Sequence, residues 1–296
     1  MVKVRCPYCG ATFEVPKTVS VTVCPYCGTA IWIESGERIT EHYMYPDNIS
    51  FNMSFRNVVG IAERQYAAPA DLAETATPKS GRLHFIPLYI YHIKVVAKCP
   101  KEEESGIEED WTTLSAVKKL PLGLTSTYRF ALGSRRYFEP RRLERGVYHQ
   151  PEVSPEHYIG KVSKKARGRA KWEASCSNPK INDETRWEGI VHYPFWEITY
   201  EYSGREYNAL VDAVDGSVVY VEYPIEESKK KKLLVGGSGF LLIPMGVGVY
   251  VGYKLGMPII GTVSSALTGA PGAFIYWTIA FSERGKYKLK SRLKKL

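Results

Sequence analysis

The residues best placed for chemistry lie at the start of the chain. Cys6-Pro-Tyr-Cys9-Gly10 recurs as Cys24-Pro-Tyr-Cys27-Gly28 after an interval of thirteen residues. Each Cys-x-x-Cys turns two thiolates toward one point, and two such knuckles complete a tetrahedron around a single ion. Gly10 and Gly28 stand where a tight turn asks for positive φ. The predicted ligands are therefore Cys6, Cys9, Cys24 and Cys27, holding one structural Zn2+, with iron the less favoured occupant. Thiolates kept reduced for a metal suit a cytoplasmic location.

Such knuckles must be carried on short strands. Thr12–Val15, Val19–Val23 and Thr29–Ile33 have that character. Residues 1–35 resemble the zinc-ribbon family, also called rubredoxin-like, which implies a small all-β module. Lys3, Arg5 and Lys17 are offset by Glu14, Glu34 and the net negative charge of a tetrathiolate zinc site. Phosphate binding depends on clustered cations, so nucleic acid is not expected to bind through the ribbon. The metal is expected to act as a folding staple or to build a protein-docking knob.

No H-E-x-x-H, P-loop, G-x-S-x-G or dinucleotide fingerprint occurs, which points to a non-enzymatic chain. His84 and His192 precede prolines in matching contexts and make either a paired metal or proton site or two strand caps. Cys99 and Cys176 are either inert thiols or a disulfide. Glu102–Asp110 reads as a solvated acidic loop. Arg135, Arg136, Arg141, Arg142 and Arg145, with Lys161–Lys171, form a basic region open to lipid headgroups, RNA or that acidic loop.

The soluble bulk carries signs of duplication, giving an α+β region with units at 44–150 and 151–226. Ser54 and Ser154 read as helix N-caps followed by apolar residues at helical spacing. Further on, Gly81-Arg-Leu-His84-Phe85-Ile-Pro87 is echoed by Gly189-Ile-Val-His192-Tyr193-Pro194, and a β-rich run follows each proline. Each helix is expected to pack on the strand after its own unit's proline. Ser203-Gly204 and Asp215-Gly216 mark hairpin turns. The run from Tyr200 to Pro224 resembles the strand portion of PepSY-type domains, which implies an interaction or regulatory element. The whole arrangement also resembles zinc-ribbon membrane proteins of prokaryotes, archaea especially, and that resemblance implies no activity.

The formal net charge is +9. Lys229–Lys232, Lys254 and the tail after Glu283 supply more than this whole excess, so the positive charge is gathered beside two uncharged stretches, Leu233–Tyr253 and Leu255–Phe281. Each is long enough to cross a bilayer, which takes about 20 apolar residues. A transmembrane helical hairpin over 233–281 is expected, followed by a basic juxtamembrane tail at 282–296. The flanking cations are Lys229, Lys230, Lys231 and Lys232 before it, and Arg284, Lys286, Lys288, Lys290, Arg292, Lys294 and Lys295 after it. They are predicted to meet anionic lipid headgroups at about 1 kcal/mol each and to hold both termini in the cytoplasm. Tyr287, Leu289, Leu293 and Leu296 would lie toward lipid. Gly248, Gly252 and Gly256 offer either a homodimer face or packing within the hairpin. The leading expectation is a membrane-anchored adaptor or scaffold that docks a protein partner. A membrane-tethered nucleic-acid binder, or a regulator of a membrane protease or secretion component, fits the same organisation.

Overall fold

A computed structural model describes residues 1–100, 105–125, 128, 130, 132–139 and 145–289, with the backbone alone for residues 258, 275, 276, 279 and 280. β1 (Val2–Arg5) pairs with β2 (Thr12–Val15), and β3 (Val21–Val23) with β4 (Ala30–Trp32), as two small sheets. There follow β5 (His42–Met44), α1 (Phe51–Glu63), the single turn α2 (Leu72–Thr75), β6 (Thr77–Lys98) and β7 (Ser105–Ser115). Next come β8 (Arg136–Tyr137), β9 (Val147–Tyr148), α3 (Glu156–Glu173), β10 (Lys180–Asp183) and β11 (Arg186–Tyr202). β12 (Arg205–Asp212), β13 (Val218–Pro224), α4 (Glu227–Lys254), α5 (Pro258–Ala280) and β14 (Arg284–Lys288) complete the order. The strands from β5 onward form one sheet.

β6 and β11 are antiparallel neighbours from Thr77 opposite Glu201 to His92 opposite Arg186. Both run through their prolines rather than starting after them. On its outer edge β6 is bonded to β9 as far as Phe85 and to β7 from Leu88 onward, so Pro87 falls between two partners. Pro194 likewise falls between β5, which ends beside His192, and β12, which begins beside Phe195. A residue without an N–H loses no ladder bond in such a gap. Both carbonyls remain in use, accepting from Ala116 N–H at 2.9 Å and Ala213 N–H at 3.1 Å.

The helices reverse the expected pairing. α1 precedes β6 yet lies on β11, β12 and β13, burying Val58, Val59 and Ala62 against Ile198, Tyr200, Ala209 and Val221. α3 precedes β11 yet covers β6 and β7, with Ala166 and Ala170 against Ile93, Val95 and Ala97. The short strands follow suit: β5 runs parallel to β11 and β9 parallel to β6. A helix is placed by the apolar face that accepts it, not by the strand that follows it. The caps differ too. Ser50 caps α1, its hydroxyl accepting from Met53 N–H at 3.3 Å, and Ser54 is buried within the helix. Ser154 makes no cap, because its hydroxyl bonds the cysteine-bearing segment.

Two charged segments expected to be solvated are strands. Ser105–Asp110 opens β7, with Glu108 ion-paired to Arg169 at 2.6 Å; residues 102–104 lie outside the described residues. Arg284–Lys288 joins β13 as β14, and Tyr287, expected toward lipid, packs on the α1 cluster. Arg284 and Lys286 are 3.1 and 4.0 Å from Glu222. Lys290, Arg292, Leu293, Lys294, Lys295 and Leu296 lie outside the described residues.

α4 and α5 run antiparallel, with Gly248 against Gly261 and Phe240 against Gly269. A Cβ on Gly248 would stand 2.3 Å from the Gly261 carbonyl oxygen, and one on Gly261 2.3 Å from that of Gly248 and 2.9 Å from Gly252 Cα. Gly256, at φ +73°, closes the turn after α4. Of the two readings of Gly248, Gly252 and Gly256, packing within the chain describes Gly248 and Gly252, while Gly256 has nothing within 4 Å of where a Cβ would stand. Among the described residues one helix, Glu227–Lys254, is long and apolar enough to cross a membrane, and Ile259–Phe274 is a shorter apolar stretch.

The contact of α3 with β7 is backbone on backbone: a Cβ at Gly106 would stand 2.1 Å from Ala170 O. Gly106→Ala should destabilise the fold by about 3 kcal/mol. Gly160→Ala, on the same helix with open space around it, should stabilise by up to about 1 kcal/mol. Urea unfolding followed by tryptophan fluorescence checks both, and equal effects would contradict this packing.

Candidate functional site

The two knuckles have the same local geometry. Gly10 N–H donates to Cys6 O at 2.9 Å and Gly28 N–H to Cys24 O at 2.8 Å, with φ of +76° and +71°. Cys6 N–H reaches Ala11 O at 2.8 Å, and Cys24 N–H reaches Thr29 O at 2.9 Å. The four sulfurs of Cys6, Cys9, Cys24 and Cys27 all lie within 4.8 Å of one another, a group that could hold a metal ion. Cys6 to Cys27 and Cys9 to Cys24 are each 3.7 Å. A tetrahedron with metal–sulfur bonds of about 2.3 Å sets its sulfurs about 3.8 Å apart, so the donor set fits. Burial pushes the Cys24 thiol up to about 12. Burial also raises Cys27, but hydrogen bonds from Thr29 hold it down to about 7. A divalent cation at the centre favours the thiolate form of all four.

The cysteine segment is built into the body. Val21, Val23 and Ala30 share a buried cluster with Tyr89, Tyr91, Leu114 and Ile190, and Trp32 meets Trp187 edge-on at 5.1 Å. The Ser154 hydroxyl accepts from Ser20 N–H and donates to Thr18 O, both at 2.9 Å. The Ser20 hydroxyl donates to Glu156 at 2.9 Å.

His84 and His192 are not a pair. His84 stands opposite Phe195 and His192 opposite Pro87, so the period of two sends them to opposite faces of the sheet. His84 lies between Glu197, 2.9 Å from its Nε2, and His149, 2.9 Å from its Nδ1. On the other face, His192 Nε2 is hydrogen-bonded to the Tyr148 hydroxyl. The His42 ring lies 5.0 Å from His192 and stacks on Phe138 at 4.0 Å. Within the described residues His42 Nε2 and His192 Nδ1 have no hydrogen-bond partner. Burial, reinforced by Arg38, pushes His42 down to about 3; burial, reinforced by His42, holds His192 well below the usual imidazole range. Sequence spacing carried no signal for either group, since strand pairing alone assembles them.

Lys229–Lys232 occupy the start of α4, where cations oppose the helix dipole. Lys229 is 3.0 Å from Glu226 and Lys230 3.4 Å from Glu227. Cys99 and Cys176 form a disulfide joining the end of β6 to the segment after α3. No protein-family model, curated protein or solved structure matches the chain.

Two measurements follow from this geometry. Cys24→Ser should cost on the order of 4 kcal/mol and shift the fluorescence of Trp187 as well as Trp32, because both line one cluster; unfolding confined to residues 1–35 would contradict the shared core. The buried histidines predict acid sensitivity. With His42 and His192 neutral in the fold, the unfolded chain binds more protons below about pH 6.5. Stability then falls as pH drops toward about 3, where His42 titrates. Each contributes a slope of about 1.4 kcal/mol per pH unit. His42→Phe should therefore flatten the stability–pH curve by about that slope, and an unchanged curve would mean that His42 is charged in the fold.

Proposed function

We propose that this chain is a zinc-stapled α+β domain held at the cytoplasmic face of a membrane by a two-helix hairpin, where it docks a protein partner. The observation that carries the reading is the pairing of β14 with β13. α4 leaves the sheet just after Pro224, α5 returns just before Arg284, and these two residues are ladder partners. Both ends of the helix pair are therefore tied to one edge of one sheet, so a chain inserted there must go in and come back. Val235, Leu242, Ile243 and Val247 of α4 and Ile259 and Ile260 of α5 point outward and exposed, surface that lipid would cover. Lys229–Lys232 and Arg284, Lys286 and Lys288 ring the point of entry, with Lys254 at the far turn. That distribution favours cytoplasmic ends and anionic headgroup contacts.

Zinc is the ion that the four-thiolate donor set favours, and it acts as a staple because the metal-bearing strands share the core. Tyr8 and Tyr26, exposed at the knuckle tips, are the contacts we assign to the partner. The reciprocal placement of β5–α1 and β9–α3 supports descent of the two halves from one β-α-β-β unit. In that relation Pro87 matches Pro194 and the two histidines do not match.

Thiol labelling of intact cells tests the topology. Lys254→Cys should react with a membrane-impermeant maleimide, while Lys231→Cys and Lys288→Cys should react only after permeabilisation. Labelling of Lys231→Cys or Lys288→Cys in intact cells would overturn the assignment.

A further inference from the structure

The outer face of α3 has no part in the metal centre or the helical hairpin. Its inner face, with Ser163, Ala166 and Ala170, is buried. Along the outer face, Lys161, Lys164, Lys165, Gly168, Arg169 and Trp172 line a groove of about 600 Å³. Their spacing places all six on one side of the helix, over a length of about 17 Å. Gly168 has nothing within 4 Å of where a Cβ would stand, so it leaves the groove open in the middle. Trp172 is 82% exposed, more than any other large apolar side chain described. Lys164 and Lys165 are exposed, with no carboxylate within 4 Å among the described residues. Lys161 is placed by His157 at 2.7 Å and by the Tyr158 ring, and Arg169 is fixed along the groove by Glu108 at 2.6 Å.

Lipid does not reach this face. α4 departs at the Thr77 end of β6, where Thr77 pairs with Glu201 and α4 follows Pro224. α3 covers Ile93–Ala97, roughly 50 Å further along that strand, several times a physiological Debye length of about 8 Å. A nucleic-acid duplex keeps its bases stacked inside and would leave the indole unused. A row of cations ending in an open indole, with a gap between them, matches the alternation of phosphate and splayed base in a single strand.

We propose that the outer face of α3 binds single-stranded nucleic acid, with Lys161, Lys164, Lys165 and Arg169 meeting phosphates and Trp172 stacking on a base. The exclusion of lipid rests on the membrane reading, whereas the test works in detergent whether or not the chain spans a bilayer.

Fluorescence anisotropy of the full-length chain with a labelled twelve-residue oligouridine tests it, with a duplex RNA of equal length and polyglutamate as comparisons. Oligouridine should bind with log affinity falling against log salt at a slope of about −2 to −3. Changing Lys164 and Lys165 together to Ala should reduce that slope by about 1.4. Trp172→Ala should weaken binding about tenfold to a hundredfold with the slope unchanged, and Trp172→Phe should restore most of the loss. These positions are exposed, and an unchanged urea-unfolding midpoint reports that the variants keep the fold. Three results would overturn the proposal: no binding at low salt, a Trp172→Ala variant with unchanged affinity, or tighter binding of polyglutamate than of oligouridine, which would assign the face to an acidic protein.

Discussion

Two long strands side by side set the terms for everything else in this molecule. β6 and β11 hold each other along most of their lengths, so the rest of the sheet grows outward from their outer edges and the two helices α1 and α3 settle on its face. Each outer edge is shared by two partners in succession, a short parallel strand and then a long antiparallel one. Where one partner gives way to the next, a backbone donor has nothing to bond, and there the chain has proline. Proline at such a position also bars a strand from sliding past the junction, because a one-residue slip would put a missing N–H inside a ladder.

This arrangement explains why the two halves cannot be cut apart. The strand and helix that precede β6 complete the sheet around β11, and those that precede β11 complete the sheet around β6. Each half alone would leave its long strand with a bare edge and an uncovered apolar face. The cysteine segment fills the space left beside α3, where Val21, Val23 and Trp32 close over Tyr89, Tyr91 and Trp187. Its three-residue strands bury too little on their own to be stable, so the aromatic cluster is needed to hold them, and an ion on the four cysteines would add to it. The unpartnered nitrogens of His42 and His192 lie on the same face as this cluster, within the stretch of sheet between the two helices. Buried imidazoles of this kind cost stability, and the surrounding rings of Phe138 and Tyr148 keep them from water.

Local features were legible in the sequence and non-local ones were not. The convergence of the four cysteines into a group that could hold a metal ion, the turns at Gly204 and Gly216, and the long apolar helix Glu227–Lys254 each follow from a few adjacent residues. Ser54 misled because a serine four residues earlier sits at the true helix start and makes the capping bond. Glu108 looked solvated because its partner, Arg169, is remote in sequence and arrives only when α3 settles on β7. That Arg284–Lys288 forms a strand was hidden because nothing in its own composition reveals Glu222 across the ladder. The pairing of Cys99 with Cys176 was open for the same reason: spacing along the chain does not report which strand end lies beside which helix end.

α3 is the element on which these non-local ties converge. At its start, Glu156 receives the Ser20 hydroxyl of the metal-bearing segment, and Ser154 bridges Thr18 and Ser20. Just past its end, Cys176 is bonded to Cys99, the residue that follows β6. Between them, Arg169 reaches Glu108 of β7, Arg167 reaches Asp183 of β10 at 2.5 Å, and the helix backbone rests directly on Gly106. A helix whose fully buried residues are Ser163, Ala166 and Ala170, with Ile159 and Val162 partly buried beside them, buries modest apolar area and would be weakly held by that burial alone. Small inner side chains bring it close to the sheet, and close approach lets its arginines reach strand carboxylates on either side. The cysteine segment at one end and the disulfide at the other then remove the freedom to fray. What remains outside is a row of lysines and an indole on a helix whose backbone is fixed by the core beneath it, with Lys161 alone of the three lysines also held by His157 and the Tyr158 ring among the described residues.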